Sequence, residues 1–126
     1  MPENQLVSII MNCYNGEKYL REALDSIIDQ TYKNWELIFW DNQSTDNSAN
    51  IVLSYNDHRI KYFYSKTHTL LYEARNLAIE KSQGGYLAFL DVDDYWDSTK
   101  LEKQMLVFSK NSEVAIVYSN LYFKNE

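Results

Sequence analysis

The chain has 126 residues, 45% of them hydrophobic and 24% charged, with a formal net charge of −6. This is enough for one domain with one core, and it excludes a chain disordered by composition. The acidic balance argues against nucleic acid and anionic lipid as partners; a phosphate-bearing ligand would need a metal ion, a helix N-terminus or a local arginine.

No apolar run approaches the roughly 20 residues of a membrane-spanning helix. The opening MPENQ has neither the basic nor the apolar part of a signal peptide. The lone cysteine, Cys13, excludes an internal disulfide and fits a reducing compartment.

Leu6–Met11, apolar and rich in β-branched residues, predicts a buried strand. Asn15 is then placed to cap a helix with Leu20, Ala23, Leu24, Ile27 and Ile28 on one face. Trp35–Trp40 predicts a second strand, and Ser44 or Thr45 a cap for a helix turning Ala49, Val52 and Leu53 inward. Ile60–Tyr64 reads as a third strand near an edge, followed by a helix marked by Leu71, Ala74, Leu77 and Ala78. Gly84-Gly85 is expected to end that helix through the left-handed conformation. Tyr86–Leu90 predicts a fourth strand, Asp97 or Ser98 caps a helix carrying Leu101, Met105 and Phe108, and Val114–Tyr118 predicts a fifth strand. Such alternation predicts an α/β domain, Rossmann-like, with a mostly parallel sheet and helices on both faces. Its ligands should bind beyond the carboxyl ends of the strands.

Three polar segments follow directly on apolar strands: Asn12-Cys13-Tyr14-Asn15-Gly16-Glu17, Asp41-Asn42-Gln43-Ser44-Thr45-Asp46 and Asp91-Val92-Asp93-Asp94. In a parallel sheet they share one rim. Three carboxylates in four residues repel one another unless a cation sits among them, and oxygen ligands suit Mg²⁺ or Mn²⁺. Taken alone, such a stretch is a solvated acidic turn; its place after an apolar strand favours the metal. Ser44 and Thr45 read as ordinary helix caps, which leaves Asp41 and Asn42 freer to face a ligand. Arg75 either grips a diphosphate or pairs with Glu73 or Glu80 on its own helix. His58 and His68 lack ligand spacing and read as surface residues, and Cys13 has no neighbouring histidine to make it a nucleophile. The absence of G-x-x-x-x-G-K-[ST] and G-x-G-x-x-G removes the main support for an ATPase or a dinucleotide enzyme.

VSIIMNCYNGEKYL, QTYKNWELIFWDNQSTD and EARNLAIEKSQGGYLAFLDVDDYWDSTKL, in this order, resemble the family 2 glycosyltransferases of the GT-A fold from Val7 to about Tyr118. The resemblance implies that Asn12, Cys13, Tyr14 and Asn15 line a nucleobase and ribose pocket that Asp41 and Asn42 approach. It places Asp91, with Val92, at ribose or phosphate, and Arg75 near the diphosphate or sugar. Asp93 would ligate Mn²⁺ or Mg²⁺, with Asp91 and Asp94 in the same cluster. The commoner family pattern Asp-Asp-Gly-Ser is broken by Asn42 and Gln43, and a commoner proline by Asn12. An Asp at the position of Asn42 often pairs with uracil in the family; Asn both donates and accepts and does not fix the base, so UDP is only the default donor nucleotide, with dTDP or GDP open.

The implied reaction is inverting transfer from a nucleotide sugar to a hydroxyl of a saccharide or lipid-linked acceptor. The setting implied is polysaccharide biosynthesis on the cytoplasmic side. Residues 1–126 are expected to be a single nucleotide-sugar-binding domain, truncated at its C-terminus, with the acceptor site and the catalytic base beyond Glu126. A sugar-nucleotide nucleotidyltransferase would want a glycine-rich basic loop where NCYNGEKYL has one Gly. A phospho-accepting receiver would want paired acids after the first strand and a Lys after the fifth. A non-catalytic nucleotide- or carbohydrate-binding module is the remaining alternative.

Overall fold

Four of the five apolar runs form strands, two of which extend further toward the rim than expected. A computed structural model describes residues 4–118. Strands and helices alternate as β1 (Val7–Cys13), α1 (Glu17–Ile28), β2 (Trp35–Asp41), α2 (Ser48–Leu53), β3 (Ile60–Tyr64), α3 (Leu71–Glu80), β4 (Tyr86–Phe89) and α4 (Lys100–Lys110). The sheet is parallel throughout, in the order β3-β2-β1-β4.

β1 and β2 are central, and every residue of β2 is buried, as expected of strands covered on both faces. Alternation along the strands sends Val7, Ile9, Met11, Leu37 and Phe39 to one face. There they meet Leu20, Ala23, Leu24 and Ile27 of α1 and Leu101 and Met105 of α4. Ile10, Ile38 and Trp40 face the other way, against Ala74 and Ala78 of α3. The two alanines lie one turn apart, so α3 can approach the sheet closely.

At the lower end of that second face sits a buried carboxylate that sequence reasoning missed. Glu36 accepts from the Ser8 hydroxyl at 2.5 Å, the Gln83 amide at 2.6 Å and the Lys61 ammonium at 2.7 Å. Three strands and the α3–β4 loop thus converge on one side chain. Gly84 belongs to this junction: a β-carbon there would stand 2.6 Å from both Leu6 O and Ser8 Oγ.

Several expectations are corrected. Val114–Tyr118 forms no strand; Ile116 and Tyr118 are 81% and 90% exposed. Its apolar sequence suits a strand, but a strand also needs a ladder partner and cover, which this segment lacks among the described residues. The next two positions, Ser119 and Asn120, lie outside the described residues. Gly84-Gly85 does not end α3 through left-handed backbone, since no glycine has positive φ and the helix is capped at Lys81. Crowding against β1 requires the glycine at 84 instead. The helix caps also move, to Gly16 for α1, Asn47 for α2 and Thr99 for α4. The expected cap Asn15 takes φ 51° and bonds across the rim. Among the described residues no helix is long and apolar enough to cross a membrane.

Candidate functional site

Beyond Phe89 the amide of Leu90 still donates to Ile10 O at 3.1 Å, and then the chain turns. The Asp94 amide donates to Asp91 O at 3.1 Å, folding Asp91-Val92-Asp93-Asp94 back on itself. One carboxylate oxygen from each of Asp91, Asp93 and Asp94 lies within 4.8 Å of the others, and all three residues are exposed. Burial, and then the charges of Asp93 and Asp91, push the Asp94 carboxyl above its ordinary range. Burial leads, and the two neighbouring carboxylates add to it because like charges held close disfavour a further ionised group. An all-oxygen set with an open side fits Mg²⁺ or Mn²⁺, which keep positions for water and phosphate oxygens.

The turn is held from several directions. A β-carbon at Gly16 would lie 2.8 Å from Val92 Cγ2 and 3.2 Å from Cys13 Sγ, so the glycine lets Val92 seat against the end of β1. Further on, Trp96 is buried in the core. The wholly buried Gln30 at the end of α1 donates to Asp97 O at 2.6 Å and accepts from the Leu101 amide at 3.1 Å. From α3, Arg75 Nη2 reaches to 3.9 Å from Asp91 Oδ1 and its guanidinium lies 5.6 Å from the Phe89 ring. The pairing is with Asp91, not with Glu73 or Glu80.

The other two segments are laced together beside this turn. Cys13 and Asp41 are in register across β1 and β2. Asn15 donates its amide to Ser44 Oγ at 2.9 Å, while its Oδ1 accepts from the amides of Thr45 at 2.7 Å and Asp46 at 3.3 Å. The Gly16 amide donates to Ser48 Oγ at 3.0 Å. The Glu17 amide donates to Asp46 Oδ2 and the Asn47 amide to Glu17 Oε2, both at 3.1 Å. Thus the three polar segments expected at one rim do meet there, through Gly16 in the middle.

Not all the candidate side chains face outward. Asp41 and Asn42 are buried, at 0% and 6% exposure, contrary to the expectation that they are free for a ligand. Asp41 accepts from the Ser44 amide at 2.8 Å and the Tyr62 hydroxyl at 2.6 Å. Asn42 donates to Thr69 O at 2.8 Å and accepts from the Thr69 amide at 3.0 Å, pinning the segment between β3 and α3. Cys13, by strand alternation, points inward with Met11; burial pushes its thiol up, against weaker opposing hydrogen bonds from Ser48 and Ser44. Val92 is packed on Gly16. Asn12 points to the α3 face, where its Nδ2 is buried without a hydrogen-bond partner among the described residues. Tyr14 is 53% exposed. His68 is exposed as expected, but it is tied to the rim: Nδ1 is 2.9 Å from Asn42 O, and the ring meets Tyr14 edge-on at 4.5 Å. No spacing rule would have flagged Gln30 or His68, since each reaches its partner only through the fold. A cleft of about 700 Å³ lined by Lys33, Trp35, Glu36 and Arg59 opens at the opposite end of the strands, away from this chemistry.

A family model described as glycosyl transferase family 2 matches residues 8–126. The chain belongs to this family. Two Escherichia coli members, WfgD and WfaP, both UDP-Glc:alpha-D-GlcNAc-diphosphoundecaprenol beta-1,3-glucosyltransferases, are 40% and 38% identical to it. The alignments cover 94% and 97% of this chain but 46% and 48% of those proteins, so the chain spans about half the length of these family 2 relatives. The crystal structure of Staphylococcus aureus TarS 1–349 superposes with a TM-score of 0.79 at 30% identity, over 82% of this chain and 32% of that one. The same protein in complex with UDP-GlcNAc superposes at 0.77 and 29% identity, over 82% of this chain and 31% of that one. The fold is that of the GT-A glycosyltransferases. Family membership sets aside the receiver and nucleotidyltransferase alternatives.

Proposed function

We propose that this chain is the nucleotide-sugar-binding half of a glycosyltransferase. In this reading it holds a nucleoside diphosphate sugar through Mg²⁺ or Mn²⁺ and serves inverting transfer of a hexosyl group to an acceptor hydroxyl. The observation that carries this is the carboxylate triad Asp91, Asp93 and Asp94, within 4.8 Å, on the rim where the β1 and β2 loops and Arg75 converge. UDP is the favoured nucleotide, because WfgD and WfaP are named for UDP-Glc and TarS is solved with UDP-GlcNAc. A saccharide or lipid-linked acceptor fits the lipid diphosphates in the names of those two relatives, and a site at the cytoplasmic face of the membrane fits the same chemistry.

Asp93, with Asp91 and Asp94, would hold the cation. When bound it supplies Lewis-acid relief of the negative charge that grows on the departing diphosphate. Arg75 offers its fork of donors to a phosphate oxygen beside Asp91. Asn12 Nδ2, a buried donor without a partner among the described residues, is suited to an acceptor atom of the ribose or base. The exposed Tyr14 ring offers a stacking surface. Asn15 and Asn42 position the neighbouring loops. The acceptor's hydroxyl oxygen attacks the anomeric carbon and the nucleoside diphosphate leaves. The base that takes the hydroxyl proton, and the acceptor site, belong in this reading to sequence beyond Glu126.

Calorimetric titration of UDP, dTDP and GDP, with Mn²⁺ or Mg²⁺ and then with EDTA, tests the proposal. Metal-dependent binding of one of them is expected. If none binds in a metal-dependent way, the proposal is wrong.

A further inference from the structure

We propose that His68 is the residue that reads the nucleobase, and that it selects a base with a ring N–H on its pairing edge: uracil, thymine or guanine rather than cytosine or adenine. This rests on the nucleotide-binding reading above and extends it to a residue between β3 and α3. Asp41 and Asn42, the polar groups at the end of β2, are buried, and their side chains bond to Ser44, Tyr62 and Thr69. Neither presents its side chain to a base.

His68 stands where they cannot reach. Its Nδ1 is 2.9 Å from Asn42 O. A peptide carbonyl only accepts, so Nδ1 carries the hydrogen, and the neutral ring then holds a bare lone pair on Nε2. Nε2 makes no hydrogen bond among the described residues, and the residue is exposed. The ring is also fixed in place. Next to it, Thr69 is bound to the Asn42 carboxamide through its amide at 3.0 Å, its hydroxyl at 3.3 Å and its carbonyl at 2.8 Å. On its other side lies Tyr14, with ring centroids 4.5 Å apart and planes at 66°. A fixed acceptor beside an exposed aromatic ring suits a base that stacks on one and donates to the other. Uracil, thymine and guanine place an N–H on that edge, whereas cytosine and adenine place a lone pair there and would meet Nε2 lone pair to lone pair.

UDP and CDP share ribose and diphosphate, so their comparison isolates the base edge. With Mg²⁺ at pH 8, the wild-type chain should bind UDP about tenfold more tightly than CDP, the discrimination one well-placed hydrogen bond gives. His68→Ala should bring the two within about twofold, chiefly by weakening UDP. His68→Gln, which keeps an acceptor, should restore part of the preference. Thermal melting confirms that each variant is folded. If His68→Ala keeps the wild-type ratio, weakens both ligands equally, or the wild type shows no preference, the assignment to His68 is overturned while nucleotide binding stands. If the wild type binds neither nucleotide with metal present, the nucleotide-binding reading falls and takes this one with it.

Discussion

Arg75 Nη2 stands 3.9 Å from Asp91 Oδ1, and this one approach ties the helix that covers the sheet to the acidic turn beyond its edge strand. Both side chains are well exposed, at 40% and 65%, so water screens the pair and it adds little to stability. Its significance lies in what Arg75 can do when a phosphate arrives. Arg75→Ala should leave the melting temperature nearly unchanged yet weaken UDP binding about tenfold or more, measured by calorimetry with Mg²⁺. Arg75→Lys should recover only part of that, because an ammonium lacks the planar fork. Equal losses of fold and binding would contradict this division of roles.

The acidic turn should weaken the fold until a cation joins it. A carboxyl raised in the folded protein, as Asp94 is, binds its proton more tightly folded than unfolded; its ionisation therefore opposes folding as pH rises through the ordinary carboxylate range. Saturating Mg²⁺ or Mn²⁺ should raise the melting temperature at neutral pH by mass action. In Asp93→Asn that rise, and the metal-dependent part of UDP binding, should disappear, while the metal-free protein melts no lower than wild type. Thermal denaturation with and without EDTA reads both outcomes.

Glu36 sets an opposite dependence. Burial raises its carboxyl, but Lys61, Ser8 and the Gln83 amide outweigh burial and hold it below the usual range. A carboxyl held low when folded binds protons more readily when unfolded, so its contribution is present above the ordinary glutamate value and lost as pH falls through the folded one. The wild type should lose stability as pH falls below about 5, and Glu36→Gln should flatten part of that slope. At pH 7 the same variant should cost about 1–3 kcal/mol, since Ser8 and the Gln83 amide would lose a charged acceptor. Chemical denaturation across this pH range distinguishes Glu36 from the other carboxylates.

Gly84→Ala tests the junction at the foot of β1. The added carbon would meet the Leu6 carbonyl and the Ser8 hydroxyl at 2.6 Å and the Ser8 amide at 2.9 Å. Two of those three contacts are backbone and cannot step aside, so a loss of about 1–3 kcal/mol is expected in denaturant unfolding. The candidate site lies at the other end of the strands, so UDP affinity in the folded variant should be close to wild type.

The identity of β1 to β4 and α1 to α4, the parallel arrangement and the convergence of three polar segments on one rim were legible in the chain alone. Each is written in local periodicity: unbroken apolar runs for β1 and β2, and four-residue spacing such as Ala74 and Ala78 for α3. What the tertiary structure decided is which polar side chains remain available at that rim. Asp41 and Asn42 look free in sequence, but β3 and the segment before α3 supply Tyr62 and Thr69 as partners. His68 looks incidental until Asn42 O and Tyr14 come beside it. Val114–Tyr118 has the composition of a strand, but it found no partner strand among the described residues. The physical reason is common to all three: propensity is a property of neighbours along the chain, whereas hydrogen-bond satisfaction and burial depend on residues that only folding brings near.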